Sequence, residues 1–295
     1  MSLQTLHKII IGSSQNMSEI ADQSIHLMLT SPPYPMIQMW DNQFCQTDKK
    51  ICSLWNELSS KPSCARRIYD LMHENLAKTW QETFRVLVDG GIAAINVGDA
   101  TRRLDNRFQL FSNHSRIIEL CEKIGFTTLP YILWKKLTTK PHYKGKGAFL
   151  GSGFLPPNAY VTLDCEFILL FRKGCLRKFL PRDQIRYESK FTKAQRDEWF
   201  SQIWTIKGTR QTVDEFERRT AAYPCEVAER LIKMFSVKGD TVLDPFLGSG
   251  TTMKAAIQNR RNCIGYEVEE NLISIIQKTI TQAENELATI EIIRR

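Results

Sequence analysis

The chain has 295 residues, 42% of them apolar and 24% charged, which places it among folded proteins of one or two domains and excludes disorder, collagen-like repeats and coiled-coil rods. No run nears the roughly 18 apolar residues of a membrane span, and residues 1–11 lack a secretory signal, so no membrane partner and a cytoplasmic location are expected. The net charge of +8 favours a polyanionic partner. Twelve Lys and Arg against four acids fall between Lys135 and Lys190, an excess equal to that of the whole chain.

Strand and helix patterns alternate along the chain. Residues 25–29 read as a short buried strand ending at Thr30-Ser31-Pro32-Pro33-Tyr34. Ile68, Met72, Leu76, Trp80 and Phe84 recur every fourth residue and form one face of a helix. Residues 91–97 read as a strand, closed by Gly98-Asp99. Asp99 is equally a cleft residue or a helix cap. Ile117, Ile118, Cys121 and Ile124 mark another helix, and 127–134 another strand.

A Gly- and Pro-rich stretch over 144–158 is followed by an apolar strand over 165–171. The segment 173–211 is polar, basic and aromatic, with little periodicity. From Tyr223 regular alternation returns: a helix through Val227, Leu231 and Phe235, a strand at 241–243, a helix at 251–259, a strand at 262–266, and a last helix from Asn271. This alternation predicts an α/β fold, a doubly wound and mostly parallel sheet with helices on both faces. The predicted divisions are 1–172, an inserted recognition region at 173–211, and 212–295.

The eight cysteines show no C-x-x-C spacing and read as reduced thiols. The five histidines never fall at metal-ligand spacing, so no metal site is expected.

Two motifs carry chemistry. In Val242-Leu243-Asp244-Pro245-Phe246-Leu247-Gly248-Ser249-Gly250-Thr251-Thr252 a β-branched strand runs through a Gly-x-Gly turn into a helix. The glycines permit a sharp turn and close backbone approach to a ligand, and the helix start offers unpaired N–H groups. The next strand ends in Glu267, 19 residues after Gly248, placed to accept hydrogen bonds from ribose hydroxyls. Together these point to an adenosine-type cofactor. No Gly-Lys-Ser/Thr follows, which excludes a P-loop. In the second motif, two prolines fix φ and remove N–H donors. The Ser31 side chain and the Pro32 carbonyl can then accept from an amino group, and Tyr34 offers an aromatic face.

Asp-Pro-Phe-Leu-Gly-Ser-Gly-Thr-Thr and Thr-Ser-Pro-Pro-Tyr resemble the cofactor and catalytic motifs of S-adenosylmethionine-dependent DNA amino-methyltransferases. Their order, catalytic motif first, resembles the permuted β class. Ser-Pro-Pro-Tyr is the variant associated with cytosine N4 methylation, and Asp-Pro-Pro-Tyr the usual adenine N6 form. The resemblance runs from about Lys8 to about Ile276 and is weakest between Lys173 and Gln211, where such enzymes carry target recognition.

The resemblance implies S-adenosyl-L-methionine as cofactor and double-stranded DNA as substrate, with the target base flipped out, in a restriction–modification system with a cognate endonuclease. It implies Ser31, Pro32, Pro33 and Tyr34 as the catalytic loop. It implies Asp244, Pro245, Phe246, Gly248, Gly250 and Thr251 along the cofactor, Glu267 on the ribose, Tyr223 in the segment leading in, and Gly12-Ser13 near the adenine. Arg177, Lys178, Arg182 and Arg186, interleaved with Phe179, Tyr187 and Phe191, are the expected DNA contacts.

The alternative within the family is an adenine-N6 DNA methyltransferase of the same fold, and three further readings compete. C5-cytosine methylation needs a cysteine nucleophile, and the one Pro-Cys, at Cys225, opens a helix. A non-catalytic binding module would not need both motifs intact. An RNA or protein amine methyltransferase could use a similar loop.

Overall fold

A computed structural model describes residues 4–58, 63–104, 107–136, 161, 163–208, 223–283 and 288–295. The Gly- and Pro-rich stretch at 144–158 lies outside them.

Two inner strands, β2 (Ile25–Thr30) and β9 (Thr241–Asp244), are buried along almost their whole length, as inner parallel strands are. They pair with Leu27 opposite Val242 and Met28 opposite Leu243. Around them stand β1 (Thr5–Ile11), β3 (Leu87–Val97), β6 (Thr127–Lys136), β7 (Cys165–Arg172), β8 (Ile203–Ile206), β10 (Asn262–Glu267) and β11 (Ala288–Arg294). The order in the nine-stranded sheet is β11-β1-β10-β9-β2-β3-β7-β6-β8. Only β7 runs against its neighbours. A hairpin of β4 (Ala100–Leu104) and β5 (Arg107–Phe111) stands apart from it.

The alternation of side chains along each strand feeds two cores. One face packs on α3 (Cys64–Val86) and α4 (Asn113–Ile124) through Ile68, Met72, Trp80 and Ile117, with Phe44 of α1 (Asp41–Thr47) and Ile51 of α2 (Lys49–Glu57) joining them. The other packs on α7 (Cys225–Phe235), α8 (Thr251–Gln258) and α9 (Ile273–Thr281) through Val227, Leu231, Ala255 and Ile276. The chain leaves β2 through α3 toward β3, and leaves β9 through α8 toward β10, on opposite faces and in opposite directions. The sheet order therefore reverses between β2 and β9, where open α/β sheets part to form a ligand crevice.

The expected helices and strands are all present, and several elements are additional. β11 follows the last helix and pairs in parallel with β1; its run Ala-Thr-Ile-Glu-Ile-Ile-Arg has the period of two that a strand needs. The segment expected as an inserted recognition region contains α5 (Gln184–Glu188), α6 (Lys193–Trp199) and β8. Its last part belongs to the sheet. β8 pairs with β6, and Trp199 and Trp204 are buried in the second core, with Trp204 Nε1 donating to the Trp199 carbonyl at 2.9 Å.

Candidate active site

The C-terminal ends of the parallel strands surround a cavity of about 890 Å³. Thr30 closes β2, and the chain then turns through Ser31 and two buried prolines to Tyr34. Asp244 closes β9, and Gly248 and Gly250 follow with φ of +54° and +87°, values that glycine adopts without a Cβ clash. Gly250 is the N-cap of α8. Glu267 closes β10.

The expected residues converge here. Ser31, Pro32, Pro33, Tyr34, Asp244, Pro245, Phe246, Gly248, Thr251, Glu267, Tyr223 and Ser13 all line the cavity. Gly12 and Gly250 do not line it but are bonded to residues that do: the Gly12 N–H donates to the Glu267 carbonyl at 2.8 Å, and the Gly250 N–H to that of Leu247 at 2.9 Å.

Two buried carboxylates organise the cofactor-motif side. Asp244 Oδ1 accepts from Thr30 Oγ1 at 2.6 Å and from the Phe246 N–H at 3.1 Å. Its Oδ2 accepts from the Thr252 hydroxyl, which in turn accepts from the Tyr223 phenol. Burial outweighs these donors and pushes the Asp244 carboxyl up to about 6. Glu267 accepts from the Gly248 N–H through Oε2 and the Glu269 N–H through Oε1, both at 2.9 Å. Burial pushes its carboxyl up to about 7. No cation pairs with Glu267 among the described residues. A carboxylate this buried is costly until further donors reach it, so a ligand offering hydroxyl donors would suit it. Phe246 adds an apolar wall, its ring edge-on to Trp80 at 6.0 Å.

On the other side of the cavity stands a cluster the motifs do not announce. Asn96, near the end of β3, Lys136, at the end of β6, and Glu166, near the start of antiparallel β7, meet Tyr34 there. Tyr34 Oη donates to Glu166 Oε2 at 3.1 Å, and Asn96 Nδ2 reaches the same oxygen at 2.7 Å. Lys136 Nζ pairs with Glu166 Oε1 and lies 5.1 Å from the Trp134 ring centre. The available signal was weak, charge at the end of an otherwise apolar strand: Lys136 ends β6 and Glu166 is the second residue of β7. Asp99, by contrast, serves as a cap. Its Oδ1 accepts from the His114 N–H at 3.2 Å and bonds the His114 ring at 2.8 Å, at the start of α4.

The four expected DNA contacts, Arg177, Lys178, Arg182 and Arg186, do not line the cavity. Arg177 makes a two-pronged pair with Asp240, at 2.5 and 2.8 Å. Asp240 immediately precedes β9, so this pair lies at the opposite end of the strand from Asp244. Arg177 and Arg186 both stack on Phe179, at 4.7 and 4.9 Å. Lys178 and Arg182 are exposed on this same segment. The charge count registered these cations but not the partner that holds Arg177 down. Lys49 and Lys50, which follow the lining helix α1 in the chain, are exposed, as is Arg103 on the β4–β5 hairpin.

Among the described residues no group of His, Cys, Asp and Glu could hold a metal ion, and no helix is long and apolar enough to cross a membrane.

Residues 25–278 match the family model for DNA methylase. The chain is 57% identical over 286 residues to the type II methyltransferase M.MjaI of Methanocaldococcus jannaschii, covering 95% of this chain and 93% of that protein. It is 44% identical to the type II methyltransferase M.MthZI of Methanothermobacter thermautotrophicus, over 95% of this chain and 78% of that one. The structure of a DNA modification methylase from Thermus thermophilus complexed with S-adenosyl-L-methionine aligns with a TM-score of 0.74 at 29% identity, covering 98% of each chain. PvuII DNA methyltransferase (cytosine-N4-specific) shares the fold, with a TM-score of 0.60 at 15% identity over 99% of this chain and 98% of that one.

Proposed function

This chain belongs to the DNA methylase family that includes both N6-adenine and N4-cytosine enzymes, and from that premise we propose that it methylates the exocyclic N4 of cytosine in duplex DNA. S-adenosyl-L-methionine is the donor, and the activity protects sites from a cognate restriction endonuclease. The observation that carries this reading is the shared cavity: the Ser-Pro-Pro-Tyr loop and the Gly-x-Gly turn end adjacent strands, joined by the Thr30–Asp244 hydrogen bond.

When bound, S-adenosyl-L-methionine supplies an electrophilic sulfonium methyl. Glu267 would hold the ribose hydroxyls, and Gly248, Thr251 and Phe246 would flank the remainder. An aromatic amine is a poor nucleophile because its lone pair is delocalised into the ring. Ser31 Oγ and the Pro32 carbonyl accept its two N–H bonds and turn the lone pair out of the ring plane. Orientation of this kind lowers barriers by several kcal/mol, up to about 7–11 in the best intramolecular cases. A stacked base cannot reach the cavity, so the cytosine is flipped out and its ring rests on Tyr34. Serine rather than aspartate at position 31 supports cytosine over adenine.

Lys49, Lys50 and Arg103 take the phosphate contacts that hold the duplex over the mouth. Methylating plasmid DNA with the purified protein and digesting it to nucleosides tests the reading. N4-methyldeoxycytidine is expected, and N6-methyldeoxyadenosine alone would replace it with the adenine reading.

A further inference from the structure

Five polar side chains beside the cavity have hydrogen-bonding capacities that fix the direction of every bond between them. Glu166, as a carboxylate, only accepts. Its Oε1 takes Lys136, and its Oε2 takes Tyr34 O–H and Asn96 Nδ2. Asn96 must turn its nitrogen toward this carboxylate, because its carbonyl oxygen would meet it lone pair to lone pair. The same nitrogen reaches Tyr34 Oη at 2.9 Å, so Tyr34 accepts there. A phenol has one proton, and that of Tyr34 is committed to Glu166. Burial and the neighbouring carboxylate push the phenol well above its ordinary range, so the proton stays. The 3.0 Å contact between Tyr34 Oη and Ser31 Oγ can then run one way only: Ser31 donates. With its single proton used, Ser31 has only lone pairs left for the cavity.

We propose that Glu166 is a positioning residue that, acting through Tyr34, makes Ser31 an obligate hydrogen-bond acceptor for the exocyclic amine of the target base. The inference rests on the reading of Ser31 as that amine's acceptor. A serine hydroxyl left to itself is ambivalent, since it can rotate, donate to the amine nitrogen and occupy the lone pair that must attack. The chain from Glu166 removes that option. It is why a neutral serine can serve where aspartate, acceptor-only by nature, would need no such help. Gly98 leaves room for the arrangement: a Cβ there would lie 3.2 Å from Tyr34 Cε2 and 3.4 Å from Glu166 Cγ.

The test is single-turnover methylation of plasmid DNA with labelled S-adenosyl-L-methionine, using the full chain and its Ser31→Ala, Tyr34→Phe, Glu166→Gln and Tyr34→Phe/Glu166→Gln variants. Glu166→Gln and Tyr34→Phe should each slow methyl transfer by about tenfold, the scale of one missing hydrogen bond, with cofactor affinity unchanged. In the Tyr34→Phe background, Glu166→Gln should add nothing, because its effect passes through the phenol. A Tyr34→Phe protein that methylates at the parental rate overturns the proposal, even if Glu166→Gln fails to fold. So do multiplicative losses in the double variant, which would give Glu166 a separate role. If Ser31→Ala retains the parental rate, the underlying reading of Ser31 falls as well. If Ser31→Ala is inactive while the other variants are unimpaired, the inference about Glu166 alone is wrong.

Discussion

Thr30 Oγ1 donates a 2.6 Å hydrogen bond to Asp244 Oδ1 across 214 positions of sequence. The two residues end adjacent strands, one leading into the Ser-Pro-Pro-Tyr loop and the other into the Gly-x-Gly turn. Thr30→Val keeps the shape and removes the donor from a buried carboxylate. It should cost about 1–3 kcal/mol of stability and weaken cofactor binding as the Gly-x-Gly turn loosens. Urea denaturation and titration calorimetry read the two effects. A variant that loses stability but keeps full cofactor affinity would show that the bond holds the strands and not the site.

Cofactor binding should depend on pH through Glu267. In the proposed role, ribose hydroxyls donate to the ionised carboxylate, yet burial lifts this group to about 7 in the free protein. Below that pH the proton must leave before the cofactor binds, so Kd should rise toward tenfold for each pH unit of acidification below about 7. Glu267→Gln should flatten this dependence and weaken binding at about pH 8 by about 1.5–3 kcal/mol. Calorimetry across a pH series spanning this range gives the result directly, and an unchanged affinity in the variant would remove Glu267 from the cofactor site.

The same group sets a stability difference of known sign. The folded protein holds the Glu267 proton more tightly than the unfolded chain, whose carboxyl titrates near 4.5. Its favourable contribution is therefore full below about 4.5 and is lost as pH rises through about 7. Relative to the parent, cofactor-free Glu267→Gln should gain about 2–3 kcal/mol between about pH 5 and about pH 8. The buried imidazoles of His7 and His73, held down to about 4 and about 3, tilt whole-protein stability the other way. The comparison is therefore variant against parent, by denaturant unfolding at each pH. A stability difference that stays flat would contradict the burial of a chargeable carboxyl there.

Arg177→Ala should unfold more readily without changing DNA affinity. Its guanidinium satisfies Asp240, whose side chain is only 4% exposed and also accepts from the Val237 N–H at 2.8 Å. Removing one partner of such a pair leaves a buried charge and costs about 2–4 kcal/mol. Urea midpoints and a salt series of DNA binding separate the roles. A reduced salt slope at parental stability would return Arg177 to the DNA interface.

Lys49→Ala and Lys50→Ala should show the opposite behaviour. Each should weaken binding to specific and random duplexes alike and lower the salt slope by about one unit for each phosphate no longer neutralised, with stability near that of the parent. Unchanged slopes in both would move the phosphate-binding surface elsewhere around the mouth.

What could be seen in the sequence was what local chemistry dictates. The Gly-x-Gly turn, the Ser-Pro-Pro loop and the acid after the next strand are each contiguous, and each sits where its strand ends. The Asn96–Glu166–Lys136 cluster could not be read this way, because it depends on register. Antiparallel β7 sets Glu166 opposite Trp134 of β6 and Phe167 opposite Val97 of β3, and only then do Glu166 and Asn96 reach Tyr34 and Lys136 reach Glu166. Arg177 shows the same limit from the other direction. Its charge is visible in composition, but Asp240 stands 63 residues away, and only the fold shows that this cation is already paired.

The central claim is that this cavity methylates the exocyclic amine of cytosine. Base-level sequencing of plasmid treated with the purified protein and S-adenosyl-L-methionine, with the Ser31→Ala protein as control, tests it most directly. The account predicts N4-methylcytosine in one short sequence context, absent from the control. N6-methyladenine in place of N4-methylcytosine, or N4-methylcytosine undiminished by Ser31→Ala, would contradict it.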